Sequence, residues 1–182
     1  MRRAFRYNAE KTAQAVALLL QRPGRDHRAY LKVLKLLYLA ERESFLETGA
    51  PITGDKMVSM DHGPALSATY DLMKGESSHP VWSRCFRPTG DHELDVISDP
   101  GKDLLCPYEA EKLCQVADRY ADKDRWETKN ETHSLPEWED PLGSSKIILL
   151  KTILRTENKE GRTGRILREG RARQAFVDAV RG

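Results

Sequence analysis

The stretch LKVLKLLYLA, residues 31–40, decides the fold of this 182-residue chain. On a helix of 3.6 residues per turn, its apolar side chains cover most of the circumference, which is typical of a helix buried on several sides. Gly49 and Pro51 follow at the spacing of a helix C-terminus. We therefore predict a central helix over about residues 28–47, with the other helices packed around it. Two lysines interrupt the run, and it is far shorter than the roughly 20 apolar residues of a membrane span.

Further helices are predicted on both sides of this one. Asn8 can cap a first helix whose apolar residues recur at spacings of three and four, and Pro23-Gly24 ends it. Because proline suits the first position of a helix, Gly63-Pro64 predicts a third helix from Pro64 to Gly75. Later helices are expected to begin near Pro107, Trp126, Ser144-Ser145 and Arg162.

Strands are predicted in two places. Lys56–Met60 has the pattern of a short extended segment. Val81–Phe86 and Glu93–Ile97 alternate loosely around Thr89-Gly90-Asp91, which indicates a hairpin. The fold class that follows is mainly α with a small antiparallel β-hairpin or sheet, an α+β arrangement around the buried central helix.

The length and the charge distribution indicate one domain with a basic extension. The formal net charge is +2, but residues 151–182 hold nine Lys and Arg against four Asp and Glu, a surplus of +5 that leaves −3 for the remainder. We place a single domain over residues 1–156 and a basic, helical C-terminal extension over residues 157–182, packed on the domain or frayed from it.

The cysteines and the N-terminus indicate a cytoplasmic protein. Three cysteines (Cys85, Cys106, Cys114) form no CxxC pair, which is typical of buried free thiols in a reducing compartment. The N-terminal residues lack the apolar core and cleavage site of a signal peptide.

Motifs of catalysis are missing from the sequence. It has no P-loop, no glycine-rich dinucleotide turn, no GxSxG elbow and no HExxH helix. Its five histidines are scattered rather than paired at metal-ligand spacings. Cys106 precedes a predicted helix start, but its spacing of eight from Cys114 is also that of a core stripe. We predict no catalytic residues, no metal and no cofactor, and interpret the chain as a binding domain rather than an enzyme.

Two short segments remain open to alternative interpretations. Asp61 and His62 stand just ahead of the predicted third helix, so either Asp61 or the Gly63 region caps that helix, or the two residues form a His/Asp pair in a recognition pocket. His133 is followed by Trp138, which is either a hydrophobic plug on the core or an interface residue. Spacing favours the helix cap for the first segment and does not decide the second.

The order of these motifs resembles a known family. KLLYLA at residues 35–40 is followed by GAPITGD at residues 49–55, and DHGPA follows at residues 61–65. Met57, Ser59 and Tyr70 accompany them, and Thr132-His133 comes shortly before Trp138. This pattern is similar to the Panacea domain, the SocA-like or GepA-like antitoxin domain of bacteria and phages, from about Asn8 to Leu154. The chain departs from that pattern at Ser59, at Ala65-Leu66 and in the tail beyond Thr156.

The resemblance implies a protein-binding function. A Panacea-like chain is expected to be the antitoxin of a two-gene pair, in a bacterium or a prophage, that holds the toxin from a neighbouring gene in an inactive complex. A homodimer is compatible with this expectation. We expect the two turns to present one shared surface, and the candidate partner-binding residues are Asp61, His62, Gly63, Pro64, Tyr70, His133 and Trp138.

Two other functions are weighed against this one. Arginines recur every third residue in the last segment and would form a basic stripe suited to phosphates, so nucleic-acid binding through Arg162, Arg165, Arg168 and Arg171 is the alternative. A solvated, partly frayed C-terminus with Phe176, Val177 and Val180 packed on the domain is favoured over it. An enzyme of unrecognised type would use the Asp61/His62 or His133 region and would need a pocket of convergent titratable groups there.

Overall fold

The structure is a computed structural model that describes residues 5–157, 161 and 163–181. Its elements in chain order are α1 (Ala9–Leu20), α2 (Tyr30–Thr48), β1 (Met57–Met60), β2 (Gly63–Leu66), α3 (Ser67–Lys74), α4 (Pro80–Cys85), β3 (Phe86–Thr89), β4 (Glu93–Val96), α5 (Pro107–Arg119), α6 (Arg125–His133), β5 (Lys146–Ile147), α7 (Leu150–Thr156) and α8 (Thr163–Arg181). None of the helices in these ranges is both long enough and apolar enough to cross a membrane.

Helix α2 lies at the centre of the fold. It packs against α1, α3, α5, α6, α7 and β2. Leu37, Tyr38 and Leu39 are successive residues that point in directions about 100° apart, and all three are buried, because neighbouring elements cover several faces of this helix. The helix ends at Gly49, whose φ of +78° places it in the left-handed region that glycine adopts without strain. The predicted central helix is confirmed, with ends close to those expected.

Two small antiparallel sheets accompany the helices. One has the strand order β2-β1-β5, and β1 and β2 form a hairpin in which Met60 is paired with Gly63. The other is the β3–β4 hairpin, whose strands are joined by a 3-10 turn over Gly90–His92. The predicted fold class, mainly α with small antiparallel β-structure, is confirmed.

The predicted start of the third helix at Pro64 is wrong. Gly63–Leu66 forms strand β2, and helix α3 begins only at Ser67. The Ser67 N–H donates a hydrogen bond to the Lys56 carbonyl. Because the backbone groups of successive residues in an antiparallel strand point to opposite sides, the backbone N and C=O of Pro64 point away from β1. Its missing N–H therefore removes no ladder hydrogen bond, and the edge of the sheet accepts a proline there.

Two other element predictions are also corrected. Val81–Phe86 was expected as a strand, but Pro80–Cys85 is helix α4, in which Trp82 and Cys85 are buried at a spacing of three, and the hairpin strand starts at Phe86. Ser144-Ser145 does not cap a helix, because Lys146–Ile147 pairs with β1 as β5 and α7 starts only at Leu150.

Helix α8 packs closely on the C-terminal end of α2. A Cβ at Gly170 would overlap the carbonyl oxygen of Gly49, which shows that the two backbones touch. Arg173 donates a hydrogen bond to the Thr48 carbonyl at 3.0 Å, and Ile166 and Leu167 pack on the core. By contrast Phe176 and Val180 are exposed, so their expected packing on the domain is wrong, and the Val177 side chain lies outside the described part of the chain.

The cysteines differ in exposure. Cys85 is buried, Cys114 is half-buried and Cys106 is exposed at the N-terminus of α5, and all three are free thiols. The prediction of buried thiols therefore holds for Cys85 and is wrong for Cys106.

Candidate partner-binding site

The turn between β1 and β2, which we call the hairpin tip (residues 61–64), brings two candidate residues to the surface. Asp61 and His62 form its two exposed positions. Gly63 follows with a φ of +91°, and a Cβ at this position would lie 2.6 Å from His133 Cδ2. Only a glycine fits here, because the backbone is left-handed and the His133 ring lies against it. The close approach joins the hairpin tip to the end of helix α6.

The segment after α6 supports the tip from one side. The His133 ring stacks on the Trp138 ring, with centroids 4.3 Å apart and an interplanar angle of 22°. Trp138 Nε1 donates a hydrogen bond to the Met60 carbonyl at 3.1 Å. The Glu139 N–H donates to Ser59 Oγ at 3.2 Å. The turn around residues 133–138, which we call the His–Trp turn, therefore lies side by side with the hairpin tip.

Lys35 of the central helix supports the tip from below. Its side chain is 1% exposed, and Nζ donates to the outward-facing carbonyl of Pro64 at 2.6 Å. Burial, and secondarily the charge of Lys129, lower the pKa of Lys35 to about 7. The amine thus satisfies an edge carbonyl that no neighbouring strand covers.

A buried ion pair holds the His–Trp turn on the central helix. Glu137 accepts hydrogen bonds from Arg42 Nε at 2.6 Å and from the Tyr38 hydroxyl at 3.0 Å. Arg42 also bonds Glu157, at 2.5 Å. The Glu137 side chain is completely buried. The turn is therefore fixed by charge-assisted hydrogen bonds as well as by ring stacking.

The electrostatic surroundings of His133 favour its neutral form. Desolvation lowers its pKa, and the nearby charges of Lys129 and Lys35 lower it further, while the Asp61 backbone acts in the opposite direction. Nε2 is buried and makes no hydrogen bond to the part of the chain that the structure describes. At neutral pH the ring is an uncharged stacking partner for Trp138.

Asp61 does not cap helix α3, as one of the two interpretations of the sequence expected. Asp61 Oδ1 accepts a hydrogen bond from the Gly143 N–H at 3.2 Å, and among the described residues none joins Asp61 to His62. Helix α3 is instead capped by Asp55, whose carboxylate accepts from the Thr69 N–H and the Thr69 hydroxyl at 2.8 Å. The cap from Asp61 or the Gly63 region is therefore wrong. A remote carboxylate occupies the positive end of α3.

The loop before β1 is equally well fixed. Glu41 is fully buried on α2, and its carboxylate accepts hydrogen bonds from the backbone N–H groups of Ile52, Thr53 and Gly54 and from the Thr53 hydroxyl. Burial raises the pKa of Glu41 to about 7, and the Thr53 and Ile52 hydrogen bonds partly offset this rise. The hairpin is thus held on the central helix at both its base and its tip.

Tyr70 belongs to a different group of side chains. Its ring centroid is 6.5 Å from that of Tyr30, and Lys74 Nζ lies 4.4 Å from it. Tyr30 in turn contacts His92 edge-on at 5.4 Å. This group borders a polar cleft of about 560 Å³ between α2, α3 and the β3–β4 hairpin. The structure joins Asp61, Gly63, Pro64, His133 and Trp138 at one place and Tyr70 to another.

The arginines of the last helix are exposed where they can be described. Arg165, Arg168 and Arg171 lie on the surface of α8, and Arg165 is 3.7 Å from Glu169. Arg162 lies outside the described residues. Within the described ranges, no three His, Cys, Asp or Glu side chains gather closely enough to hold a metal ion.

The buried polar residues that support the site were not predicted from the sequence. Lys35, Glu41 and Arg42 lie on a helix that other elements surround, and Glu137 precedes Trp138. Charged residues on a helix surrounded by other elements signal buried pairing. Their partners lie far away along the chain, so spacing does not identify them.

The comparison with family models identifies the chain. The model described as "Antitoxin SocA-like, Panacea domain" matches residues 33–139, which is more than half of the chain. The match extends from α2 to Glu139, directly after Trp138, and so includes both the hairpin tip and the His–Trp turn. Neither the curated proteins nor the solved structures gave a match to this chain. With that coverage by the family model, the chain belongs to the SocA-like Panacea antitoxin domain family.

Proposed function

We propose that this protein is a cytoplasmic antitoxin that neutralises a cognate toxin, the product of a neighbouring bacterial or prophage gene, by forming a direct complex with it. The observation that carries this proposal is the family match over residues 33–139, because the members of this family are described as antitoxins. A non-enzymatic, protein-binding role agrees with a site built of stacked rings and buried ion pairs.

The geometry supports the hairpin tip as part of the binding surface. Asp61 and His62 are exposed, while Gly63, Pro64 and the His–Trp turn below them are held by contacts to α2 and α6. A surface fixed before binding loses little conformational entropy when the partner docks. The tip presents a carboxylate and an imidazole, both able to hydrogen bond to a protein partner.

Co-expression tests the function. The neighbouring reading frame is induced in a bacterial host with and without this chain. We expect growth arrest from the neighbouring product alone, rescue by the full chain, and co-purification of the two proteins. A neighbouring product that does not arrest growth, or an arrest that this chain does not relieve, would refute the antitoxin proposal.

A matched pair of histidine variants tests the hairpin tip. We expect His62→Ala to weaken the complex by about 5-fold or more, the effect of losing an interface residue worth about 1 kcal/mol. His92→Ala is the control, because His92 is also an exposed turn histidine but lies on the β3–β4 hairpin. Equal affinities for His62→Ala, His92→Ala and the wild type would place the contact elsewhere.

Nucleic-acid binding is a second candidate function, favoured by the exposure of Arg165, Arg168 and Arg171 on one helix. It is tested by titrating a fluorescent DNA duplex at several salt concentrations. Salt-dependent binding that Arg165→Gln with Arg168→Gln removes would support it, since phosphate contacts release counterions. Unchanged binding in this double variant would exclude this helix as the DNA contact.

A further inference from the structure

An apolar groove lies beside the edge of the three-stranded sheet, at the opposite end of β1 from the hairpin tip. It has a volume of about 620 Å³, and its apolar lining includes Phe5, Met57, Ile147, Leu149, Leu150 and Leu167. Strands β1 and β5 form one side, and the start of α7 and the middle of α8 form the other. We call it the β5 groove. Ile147 and Leu149 are 62% and 40% exposed, so the apolar surface is open to solvent.

The groove borders a strand edge that no other described strand covers. The Ile148 N–H donates to the Met57 carbonyl at 2.9 Å, so in this antiparallel ladder Ile148 faces β1. Because successive residues of a strand face opposite edges, the N–H and C=O of Ile147 point away from β1. Strand β5 ends the sheet order β2-β1-β5. An exposed edge of this kind is a template for pairing with another chain.

The positive charges around the groove indicate that it binds a segment with acidic residues. Lys56, Lys151 and Arg171 line it, and their side chains make no ion pair or hydrogen bond with the described part of the chain. Asp55 is the acidic residue among the described lining side chains, and its carboxylate is already engaged at the N-terminus of α3. Three cations that have no partner among the described residues therefore surround the apolar floor of the groove. They complement a segment that carries apolar residues flanked by Asp or Glu.

We propose that the β5 groove binds a segment of the cognate toxin, in which apolar side chains enter the groove and flanking carboxylates pair with Lys56, Lys151 and Arg171. This inference rests on the proposed antitoxin function and names a second part of its binding surface. Strand β1 runs from Met57 at the groove to Met60, the residue before the hairpin tip, about 10 Å along an extended chain. One partner protein can therefore contact both the β5 groove and the hairpin tip. An apolar floor beside a strand edge suits a protein segment, because only a peptide backbone carries the N–H and C=O groups that pair with such an edge.

Charge reversal in the full chain tests the proposal. Lys151→Glu with Arg171→Glu is compared with Lys102→Glu with Arg84→Glu, a control that makes the same charge change at exposed cations outside the groove. The probe is the purified product of the neighbouring reading frame. We expect the groove pair to weaken its binding about 10-fold or more and to abolish rescue of growth, and the control pair to leave both unchanged.

A substitution in the apolar lining of the groove provides a second, independent test. Ile147→Asp is compared with Ile97→Asp, another half-exposed isoleucine outside the groove. We expect Ile147→Asp alone to weaken binding, by about 5-fold or more. Circular dichroism and thermal unfolding establish that each variant is folded.

The outcomes separate this inference from the function on which it rests. If the wild type does not rescue growth, the antitoxin function fails and the toxin-binding role of the groove fails with it. If the wild type rescues and folded groove variants bind and rescue equally well, the groove proposal is overturned while the function stands. Light scattering of the free protein adds a third result. A wild-type dimer that Lys151→Glu with Arg171→Glu dissociates would assign the groove to a second copy of this chain and overturn the proposal.

Discussion

At the scale of single residues, Gly63 combines two requirements that other residue types do not meet. Its φ is +91°, and its Cα faces the His133 ring. We expect Gly63→Ala to lower the free energy of unfolding by about 2–4 kcal/mol, since it adds a steric overlap to the backbone strain. Chemical denaturation measures this change.

A second glycine separates the two contributions. Gly143 has a φ of +77°, but a Cβ there would meet nothing within 4 Å. Gly143→Ala should therefore show only the strain, about 1 kcal/mol. Equal costs at both positions would show that the hairpin tip does not press against His133.

Lys35 makes the free energy of unfolding depend on pH. Its folded pKa of about 7 lies below the ordinary value of 10.5, because the amine is buried. The unfolded chain binds more protons between these values, so the destabilisation is complete below pH 7 and is relieved as the pH rises towards 10.5. Burial lowers the pKa of His133, so this ring does not gain charge in the same window.

The variant Lys35→Met removes the pH dependence that the Lys35 amine contributes. We expect the stability of the wild type, relative to Lys35→Met, to rise by about 2 kcal/mol between pH 7 and pH 9. Urea unfolding of both proteins at the two pH values measures the difference. A difference that does not change with pH would mean that Lys35 remains hydrated and charged.

At the scale of elements, the packing of α8 on α2 depends on Gly170. Its Cα lies against the Gly49 carbonyl, so a methyl group cannot be added without moving the helix. We expect Gly170→Ala to cost about 1–3 kcal/mol and to make α8 more sensitive to limited proteolysis.

Gly164 of the same helix is the matched control. A Cβ there meets nothing within 4 Å, so Gly164→Ala should be neutral or stabilising within about 1 kcal/mol. If both alanine variants behave alike, α8 does not depend on the contact with Gly49.

Element boundaries were predictable where the signal is local. The Asn8 side chain accepts from the Lys11 N–H and caps α1, Gly49 ends α2 in the left-handed region, and Pro107 opens α5. The start of α3 was not predictable, because a proline after a glycine suits both a helix start and an edge strand. The pairing with β1 decides between these, and the pairing is a tertiary contact.

At the scale of the whole molecule, Glu137 links distant parts of the chain. It pairs with Arg42, which also bonds Glu157 at the end of α7. We expect Glu137→Gln to destabilise the protein by about 2–4 kcal/mol, because it leaves the Arg42 charge buried without its main partner. Glu139→Gln, which changes an exposed carboxylate two residues away, should stay within about 0.5 kcal/mol.

Thermal unfolding measures both variants. We expect Glu137→Gln to lower Tm in one cooperative transition, because the ion pair joins segments that are about a hundred residues apart. A separate early transition of the His–Trp turn would instead show that this turn unfolds independently of α2.

The amino-acid sequence by itself determined the central helix, the mainly helical class and the family. These follow from apolar periodicity, helix-ending residues and the order of motifs, and each of these signals depends on residues that are close together in the sequence. Only the tertiary structure decided that Asp55 caps α3, that Lys35 satisfies Pro64 and that Glu137 pairs with Arg42. It also separated Tyr70 from the hairpin tip and left the β5 groove open. The reason is physical: a buried polar group must find a partner wherever the fold places one, and local spacing carries no record of contacts across long stretches of chain.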